Sequence, residues 1–220
     1  MKIKERLKDK LKQITHELEE KMEPENRKKM NREFERMGKK HSDAGLEIGD
    51  KAPDFTLKDT SGNDVNLYEL LEEGPVVLNF YRAIWCPHCG AELKSLQEHL
   101  PEIEEEGATL VAVSIQSPEY SQKTKSRYNL KFPVLSDTDT SVSKKYDVHY
   151  EFSEELKEVY GDILDIDVPN YNASGKWELA IPGTYIIDTS GKIVNRFVKF
   201  DHTRRMSPED IIKTLKKLNE

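Results

Sequence analysis

The sequence predicts an α/β domain that follows an N-terminal helical extension. Val76–Tyr81 is an apolar run, which is typical of a strand buried on both faces of a parallel sheet. A helix, a strand over 109–115, a second helix and a short strand over 132–135 follow it, and this order implies a right-handed crossover. Residues 1–46 instead place apolar side chains at helical spacing.

The extension, residues 1–46, reads as two charged helices that each carry one apolar stripe. Pro24 separates them in a position suited to a helix start, and the polar stretch 39–45 reads as a linker. We expect this hairpin to pack on the domain or to complete a homodimer, and a partner-binding arm is the alternative. The stripes consist of Ile3, Leu7, Leu11, Ile14 and Leu18, and of Met30, Phe34 and Met37.

Residues 47–220 read as one domain of short strands and helices separated by turn signals. A hairpin opens the domain, and a second hairpin and a proline-started helix close it. The stretch 161–177 has no clear period, so we expect an inserted loop there. The predicted elements are a hairpin over 51–67, helices over 68–71, 91–100, 141–146 and 154–160, a helix opening at 117, a hairpin over 184–198 and a final helix over 208–218.

The composition excludes several classes of protein. The 220 residues include only two cysteines, which excludes a disulfide-rich secreted scaffold. No window approaches the roughly 18 to 20 apolar residues of a membrane span, and the start lacks the apolar middle of a secretion signal. We therefore expect a cytoplasmic protein without a membrane partner. Residues 1–46 carry a net charge of +4 with acids interleaved, so we expect no nucleic-acid partner either.

Both cysteines lie in the motif Trp85-Cys86-Pro87-His88-Cys89, where a buried strand passes into a helix. A thiolate at a helix N-terminus faces unpaired N–H groups and the positive end of the helix dipole, which lower a cysteine pKa from ~8.5 to as low as ~3.5. We therefore expect Cys86 to be the reactive sulfur. Cys89 follows one helical turn later, near enough to close a disulfide with Cys86.

Two structural alternatives compete with redox chemistry at this pair. A zinc site needs four ligands, and the sequence offers no second cysteine pair. An inert pair of buried thiols explains neither the proline between the cysteines nor the tryptophan before them. We therefore expect no metal and no cofactor. The histidines, none of which pairs at a metal-ligand spacing, are His16, His41, His88, His99, His149 and His202.

Several other residues are expected to support the site. Pro182 precedes a strand, and in the cis form it would leave an extended edge on which a thiol substrate docks, although it is otherwise an ordinary strand-initiating proline. Trp85 is expected to wall the site or to belong to the core. His88, when protonated, would favour the thiolate. For Glu178, Arg204 and Arg205 we expect exposure to solvent, and a position facing the site is the alternative.

Three segments carry a family resemblance. Gly49–Phe55 (GDKAPDF), Phe80–Cys89 (FYRAIWCPHC) and Pro182–Asp188 (PGTYIID) resemble the peroxiredoxin-like branch of the thioredoxin superfamily, in particular its alkyl hydroperoxide reductase and thiol-specific antioxidant (AhpC/TSA) group. The resemblance covers Ile48 to the C-terminus. It implies a thioredoxin-like fold, a central mixed sheet flanked by helices, with Cys86 as the attacking cysteine and thioredoxin or another small thiol protein as reductant.

The sequence departs from the family pattern at three places. The family usually has a proline seven residues and a threonine or serine three residues before the peroxidatic cysteine, and an arginine near the final hairpin. Those places hold Asn79, Ala83 and Pro182. The hydroxyl that would bind the peroxide is therefore missing. Arg82 is the nearest cation in sequence and is a candidate substitute, but the sequence does not say which way its side chain points.

Three functions remain open from the sequence. The first is an antioxidant enzyme that reduces hydrogen peroxide or organic hydroperoxides through Cys86, with Cys89 as the resolving thiol. The second is a disulfide reductase in which Cys86 attacks a disulfide that Pro182 positions. The third is a non-enzymatic, redox-responsive binding protein, which would need Cys86 to be unreactive.

Overall fold

A mixed sheet of seven strands forms the centre of the protein, whose computed structural model describes residues 6–220. The strands are β1 (Thr56–Asp59), β2 (Asp64–Asn66), β3 (Val76–Phe80), β4 (Thr109–Ser114), β5 (Val134–Ser136), β6 (His149–Glu151), β7 (Glu178–Ala180), β8 (Gly183–Ile187) and β9 (Ile193–Val198). The strand order in the sheet is β2-β1-β5-β4-β3-β8-β9, and β6 and β7 form a separate antiparallel pair.

Helices flank the sheet, and most begin at a proline or at a side-chain cap. Ser207, for example, accepts a hydrogen bond from the backbone N–H of Asp210, as the predicted N-cap requires. The helices are α1 (Leu7–Glu20), α2 (Pro24–Lys40), α3 (Leu67–Glu73), α4 (Pro87–Glu98), α5 (Leu100–Glu105), α6 (Pro118–Tyr128), α7 (Ser141–Lys145), α8 (Glu154–Glu158), α9 (Val168–Tyr171) and α10 (Pro208–Leu218).

The strand β3 occupies the middle of the sheet and determines where the cysteines lie. It pairs in parallel with β4 and antiparallel with β8, and all five of its residues are buried. Burial on both faces accounts for its apolar sequence. The chain leaves β3 at Phe80 and enters α4 at Pro87, so the cysteine motif lies at the end of the central strand. The predicted α/β fold, a mixed sheet flanked by helices, is confirmed.

The stretch 161–177 is more ordered than the sequence suggests. The helix α8 passes into a π-helical turn, Val159–Ile163, and α9 follows. Val159, Tyr160 and Val168 are fully buried, so these short elements are held by packing on the core. Segments of four or five residues are too short to show a period, and for the same reason the sequence did not reveal the three-residue strands β6 and β7.

The N-terminal helices pack on the domain. Leu7 and Leu11 of α1 are buried, and so is Met37 of α2. The helix α2 continues past Gly38 to Lys40, which shortens the predicted linker; Gly38 there approaches the ring of Phe200. The first predicted stripe is only partly tested, because Ile3 lies outside the described residues. Among residues 6–220, no helix combines the length and apolar character that a membrane crossing requires.

Candidate active site

The two cysteines lie together at the N-terminus of α4. Cys86 is the N-cap residue, and its Sγ accepts a hydrogen bond from the backbone N–H of Cys89 at 3.3 Å. Pro87 occupies the first helical turn, where its missing N–H costs nothing. Both cysteines are free thiols with no exposed surface. The motif therefore places a buried sulfur against the unpaired N–H groups of a helix start.

Arg82 is the cation nearest the sulfur of Cys86. Its Nη2 lies 3.1 Å from Cys86 Sγ, and its Nη1 donates to the hydroxyl of Tyr160 at 2.5 Å. The guanidinium also lies over the ring of Trp85, 5.2 Å from its centroid, and Arg82 is buried. Ala83 next to it is buried and has no hydroxyl. The family usually has a threonine or serine at position 83, whose hydroxyl is missing here. Arg82 makes the polar contact to Cys86 instead.

Arg205 approaches Cys89, and the expectation that it faces solvent is wrong. Its Nη2 lies 3.4 Å from Cys89 Sγ, and its Nε donates to Glu92 at 2.6 Å. Glu178 is also buried, where it pairs with His149 at 2.9 Å. Only Arg204 is exposed as expected. The segment that leads from β9 to α10 folds back against α4, a tertiary contact that no local pattern encodes.

The charges around the two sulfurs separate their pKa values. Burial opposes ionisation of Cys86, but the hydrogen bond from Cys89 and the charges of Arg82 and Arg205 outweigh it and hold the pKa of Cys86 well below its usual range. Burial raises the pKa of Cys89, and the hydrogen bond and charge of Cys86 raise it further. These opposite shifts favour the thiolate at Cys86 and the thiol at Cys89 in the reduced pair.

His88 lies between the cysteines but carries no charge at neutral pH. Burial, with the charges of Arg82 and Arg205, lowers its pKa to about 4. Its Nε2 lies 2.9 Å from the hydroxyl of Thr15 on α1. This differs from the expectation that a protonated His88 favours the thiolate. The two arginines supply the positive charge instead, and they oppose protonation of the histidine between them.

Pro182 and Trp85 occupy structural positions near the site. No cis peptide bond occurs within residues 6–220, so the idea of a cis Pro182 is wrong. Pro182 is buried immediately before β8, whose first residue Gly183 pairs with Phe80, so Pro182 is an ordinary strand-initiating proline. Trp85 is half-buried, contacts Tyr160 edge to face, and lines the cleft beside the site.

A cleft of about 1040 Å³ opens beside the cysteines. It is lined by residues of α1 and α2, of the π-helical turn and of the segment 200–203. Its walls are mainly apolar, and the buried residues Arg82 and His88 also line it. The apolar lining includes Leu18, Met22, Met30, Phe34, Ile163 and Phe200. A ligand in this cleft therefore meets the same guanidinium that contacts Cys86.

Sequence reasoning missed Glu92, Tyr160 and the contact of Arg205 with Cys89. Glu92 follows Cys89 by three residues on α4, a spacing that places both side chains on one helix face, so the sequence held a signal for it. Tyr160 and Arg205 reach the site by tertiary contact and carry no such signal. Among the residues that the structure describes, no group of three or more His, Cys, Asp and Glu side chains is arranged to hold a metal ion.

Comparison with known proteins gives one family and two kinds of named relative. The AhpC/TSA family model matches residues 48–196. A Mycobacterium tuberculosis (H37Rv) protein named as a peroxiredoxin is 30% identical over 149 residues, 68% of this chain and 83% of its own. The thiol-disulfide oxidoreductase ResA of Bacillus cereus (ZK/E33L) is 27% identical over 154 residues, 70% of each chain.

Solved structures show the same fold. The crystal structure of peroxidoxin BcpB from Mycobacterium tuberculosis superimposes with a TM-score of 0.63 at 24% identity, covering 80% of this chain and 99% of that one. A peroxiredoxin-like protein from Aquifex aeolicus gives a TM-score of 0.62 at 18% identity, covering 79% of this chain and 88% of that one. Both similarities cover most of the chain and support the thioredoxin-like architecture of the central sheet.

Proposed function

The chain belongs to the AhpC/TSA family and is a thiol-dependent oxidoreductase, and from that premise we propose that it reduces organic hydroperoxides through Cys86, with Cys89 as the resolving thiol. The family relationship favours an enzyme over a non-enzymatic binding protein. The observation that carries the proposal is the contact of 3.1 Å between Arg82 Nη2 and Cys86 Sγ in a fully buried site.

A buried thiolate beside a guanidinium suits attack on a peroxide. The sulfur of Cys86 attacks the terminal oxygen, the O–O bond breaks, and the alkoxide leaves as an alcohol after taking a proton. Negative charge moves from sulfur to oxygen during this step, and Arg82, which contacts the sulfur and lines the cleft, is placed to stabilise it. Cys86 is left as a sulfenic acid, which Cys89 converts to a disulfide with release of water.

The cleft supports an organic hydroperoxide as the substrate. Its mainly apolar walls favour a substrate with an apolar body, and Arg82 receives the polar peroxide end. Cys86 has no exposed surface, which favours a small reacting group over the backbone of a folded protein substrate. Hydrogen peroxide also fits this space but gains nothing from the apolar walls.

Disulfide reduction by the same pair is the second candidate function. Two observations favour it. Ala83 offers no hydroxyl to a peroxide. The backbone N–H of Cys89 donates to Cys86 Sγ at 3.3 Å, so Cys89 is near enough to resolve a mixed disulfide on Cys86. The similarity to ResA, a protein named as a thiol-disulfide oxidoreductase, points the same way.

The catalytic cycle needs a reductant that returns the Cys86–Cys89 disulfide to the dithiol. We propose thioredoxin or another small dithiol protein, which gives up two electrons and becomes oxidised in two exchange steps. Such reductants are maintained in the cytoplasm, where we place this chemistry. A homodimer through the N-terminal helices stays a prediction.

A direct comparison of substrates tests the proposal. Consumption of cumene hydroperoxide and of hydrogen peroxide, and reduction of insulin disulfides, are measured with the parent protein, Cys86→Ser and Cys89→Ser. We expect rapid consumption of cumene hydroperoxide, loss of activity in Cys86→Ser and accumulation of a sulfenic acid in Cys89→Ser. Rapid reduction of insulin without consumption of either peroxide would replace this proposal with disulfide reduction.

A further inference from the structure

Arg205 is held rigidly with one nitrogen aimed at the second cysteine. Its Nε donates to Glu92 at 2.6 Å, and its Nη1 donates to the backbone carbonyls of His202 and, at 2.8 Å, of Arg204. Nη2 remains and lies 3.4 Å from Cys89 Sγ. The side chains of Arg205 and Glu92 are each only 1% exposed. A buried guanidinium whose other groups are bound to protein has one orientation, and its free edge faces the sulfur.

Asn79 completes this arrangement from β3. Its amide nitrogen donates to Glu92 at 3.0 Å and to the hydroxyl of Thr184 at 3.1 Å. Asn79 stands where the family usually has a proline, and a proline side chain could not donate to a carboxylate. Asn79, a departure from the family pattern, therefore holds the carboxylate of Glu92 in place. That carboxylate in turn holds Arg205.

We propose that Arg205 is the catalytic residue of the resolving step, in which it stabilises the thiolate of Cys89 as that sulfur attacks oxidised Cys86, and that Glu92 is its positioning residue. The inference rests on the proposed function, because it needs Cys89 to resolve an oxidised form of Cys86. Each arginine then stabilises a different thiolate. Arg82 contacts Cys86 Sγ at 3.1 Å, and Arg205 contacts Cys89 Sγ at 3.4 Å.

The charges order the two steps. In the reduced protein the Cys86 thiolate faces both arginines and disfavours a second negative charge on Cys89. Once Cys86 is oxidised its sulfur is neutral, and Arg205 then faces Cys89 without a competing thiolate. Cys89 loses its proton and attacks the sulfenic sulfur, the S–O bond breaks, and the leaving hydroxide takes a proton to become water.

Other titratable groups also face Cys89 from the surrounding elements. Glu92 and His88 lie on its own helix, and Tyr81 follows the central strand. None of these brings a positive charge to Cys89, since burial lowers the pKa of His88 to about 4. The groups that interact with Cys89 are Cys86, Arg82, His88, Glu92, Arg205, Tyr81, Tyr128 and Tyr160.

Single-turnover kinetics of the full chain separate the two steps. Reduced protein is mixed with cumene hydroperoxide, and formation of the sulfenic acid and closure of the disulfide are followed over pH 5 to 9. We compare the parent with Arg205→Met and, as the matched control, with Arg204→Met, which removes a neighbouring arginine that is exposed. We expect Arg205→Met to slow closure at least tenfold and to shift its pH dependence upward, while Arg204→Met closes at the parental rate.

Further variants keep the test decisive. If Arg205→Met fails to fold, Arg205→Lys retains the charge but cannot bind Glu92 and reach Cys89 at once, so we expect closure to be several-fold slower. Glu92→Gln should slow closure in the parent but not in Arg205→Met, because Glu92 acts through Arg205. Parental closure rates in Arg205→Met or Arg205→Lys, or an equal loss in both steps without a shift in pH dependence, would overturn the proposal.

Failure of the proposed function gives a different result. If the parent does not react with peroxide, closure is measured from the mixed disulfide that Cys86 forms with 5-thio-2-nitrobenzoate, whose release on attack by Cys89 is visible. Slow release in Arg205→Met alone would then support Arg205 in the resolving step while peroxide reduction is abandoned. Release at the parental rate would reject the inference by itself.

Discussion

The hydroxyl of Thr15 lies 2.9 Å from Nε2 of His88, although 73 residues separate them in sequence. This contact joins α1 to one of the two residues between the cysteines. The N-terminal extension thus packs against the site, and its residues also line the cleft. The extension therefore lies where it limits access to Cys86, even though it contributes no atom in contact with either sulfur among the hydrogen bonds of the described residues.

The first prediction concerns this contact. Thr15→Val preserves the shape of the side chain but leaves the buried Nε2 of His88 without its partner, so we expect a loss of about 1–3 kcal/mol in the free energy of unfolding. Urea denaturation measures it. Thr189→Val, in the exposed turn before β9, is the control and should change the free energy by less than about 0.5 kcal/mol. Equal effects of the two variants would show that the contact contributes nothing.

The second prediction concerns the pH dependence of stability. Burial and two arginines lower the pKa of His88 to about 4, so the unfolded chain binds a proton at this residue below pH 6.5 while the folded protein does not. Stability is therefore lost as the pH falls from about 6.5 to about 4, by roughly 3 kcal/mol. Because His88→Asn removes this titration, the difference in unfolding free energy between parent and variant should change by that amount across the window. A difference that is independent of pH would contradict the assignment.

The third prediction concerns the ionisation of Cys86. Arg82 lies 3.1 Å from its sulfur and helps to lower its pKa, so the thiolate should persist below pH 7. In Cys89→Ser protein, absorbance at 240 nm measures the thiolate directly. Adding Arg82→Met should move the transition upward by at least one pH unit, while Lys94→Met, on the exposed face of α4, should not move it. An unchanged transition in Arg82→Met would contradict the contribution of Arg82 to the low pKa of Cys86 and leave it to the hydrogen bond from residue 89 and to Arg205.

The sequence predicted the central fold because the relevant signals are local. Val76–Phe80 is apolar since both faces of β3 are buried. The helix after the cysteines was predicted over 91–100 and in fact spans Pro87–Glu98, because Pro87 occupies the first turn after the N-cap Cys86. Cys86 and Cys89 were predicted to act together for the same reason, since they are three residues apart in sequence. Of the two arginines that contact the sulfurs, the sequence pointed only to Arg82. Arg82 is four residues from Cys86, whereas Arg205 is 116 residues from Cys89 and reaches it through a tertiary contact.

The environment of His88 also depended on tertiary structure. A histidine between two cysteines suggests a positive charge near the thiolate, but burial beneath α1 and the neighbouring arginines keep the ring neutral. Neither the cover nor the second arginine is visible in the motif itself. Asn79 differs from His88 in this respect. The sequence marks it as a departure from the family pattern, and its contact with Glu92 in the folded protein explains the departure.

The last prediction concerns the cleft as a binding site for the substrate. Met30 on α2 lines the cleft. It is far in sequence from Arg82 and Arg205, the residues whose side chains contact the sulfurs. Met30→Trp should fill part of the apolar volume and lower kcat/KM for cumene hydroperoxide at least tenfold, with less than a twofold change for hydrogen peroxide, which has no apolar body to exclude. Lys28→Trp, exposed on the same helix and outside the cleft lining, is the matched control and should leave both values unchanged. A parallel fall for both peroxides in Met30→Trp would mean that the cleft is an entry path to Arg82 and Cys86 and does not select the substrate.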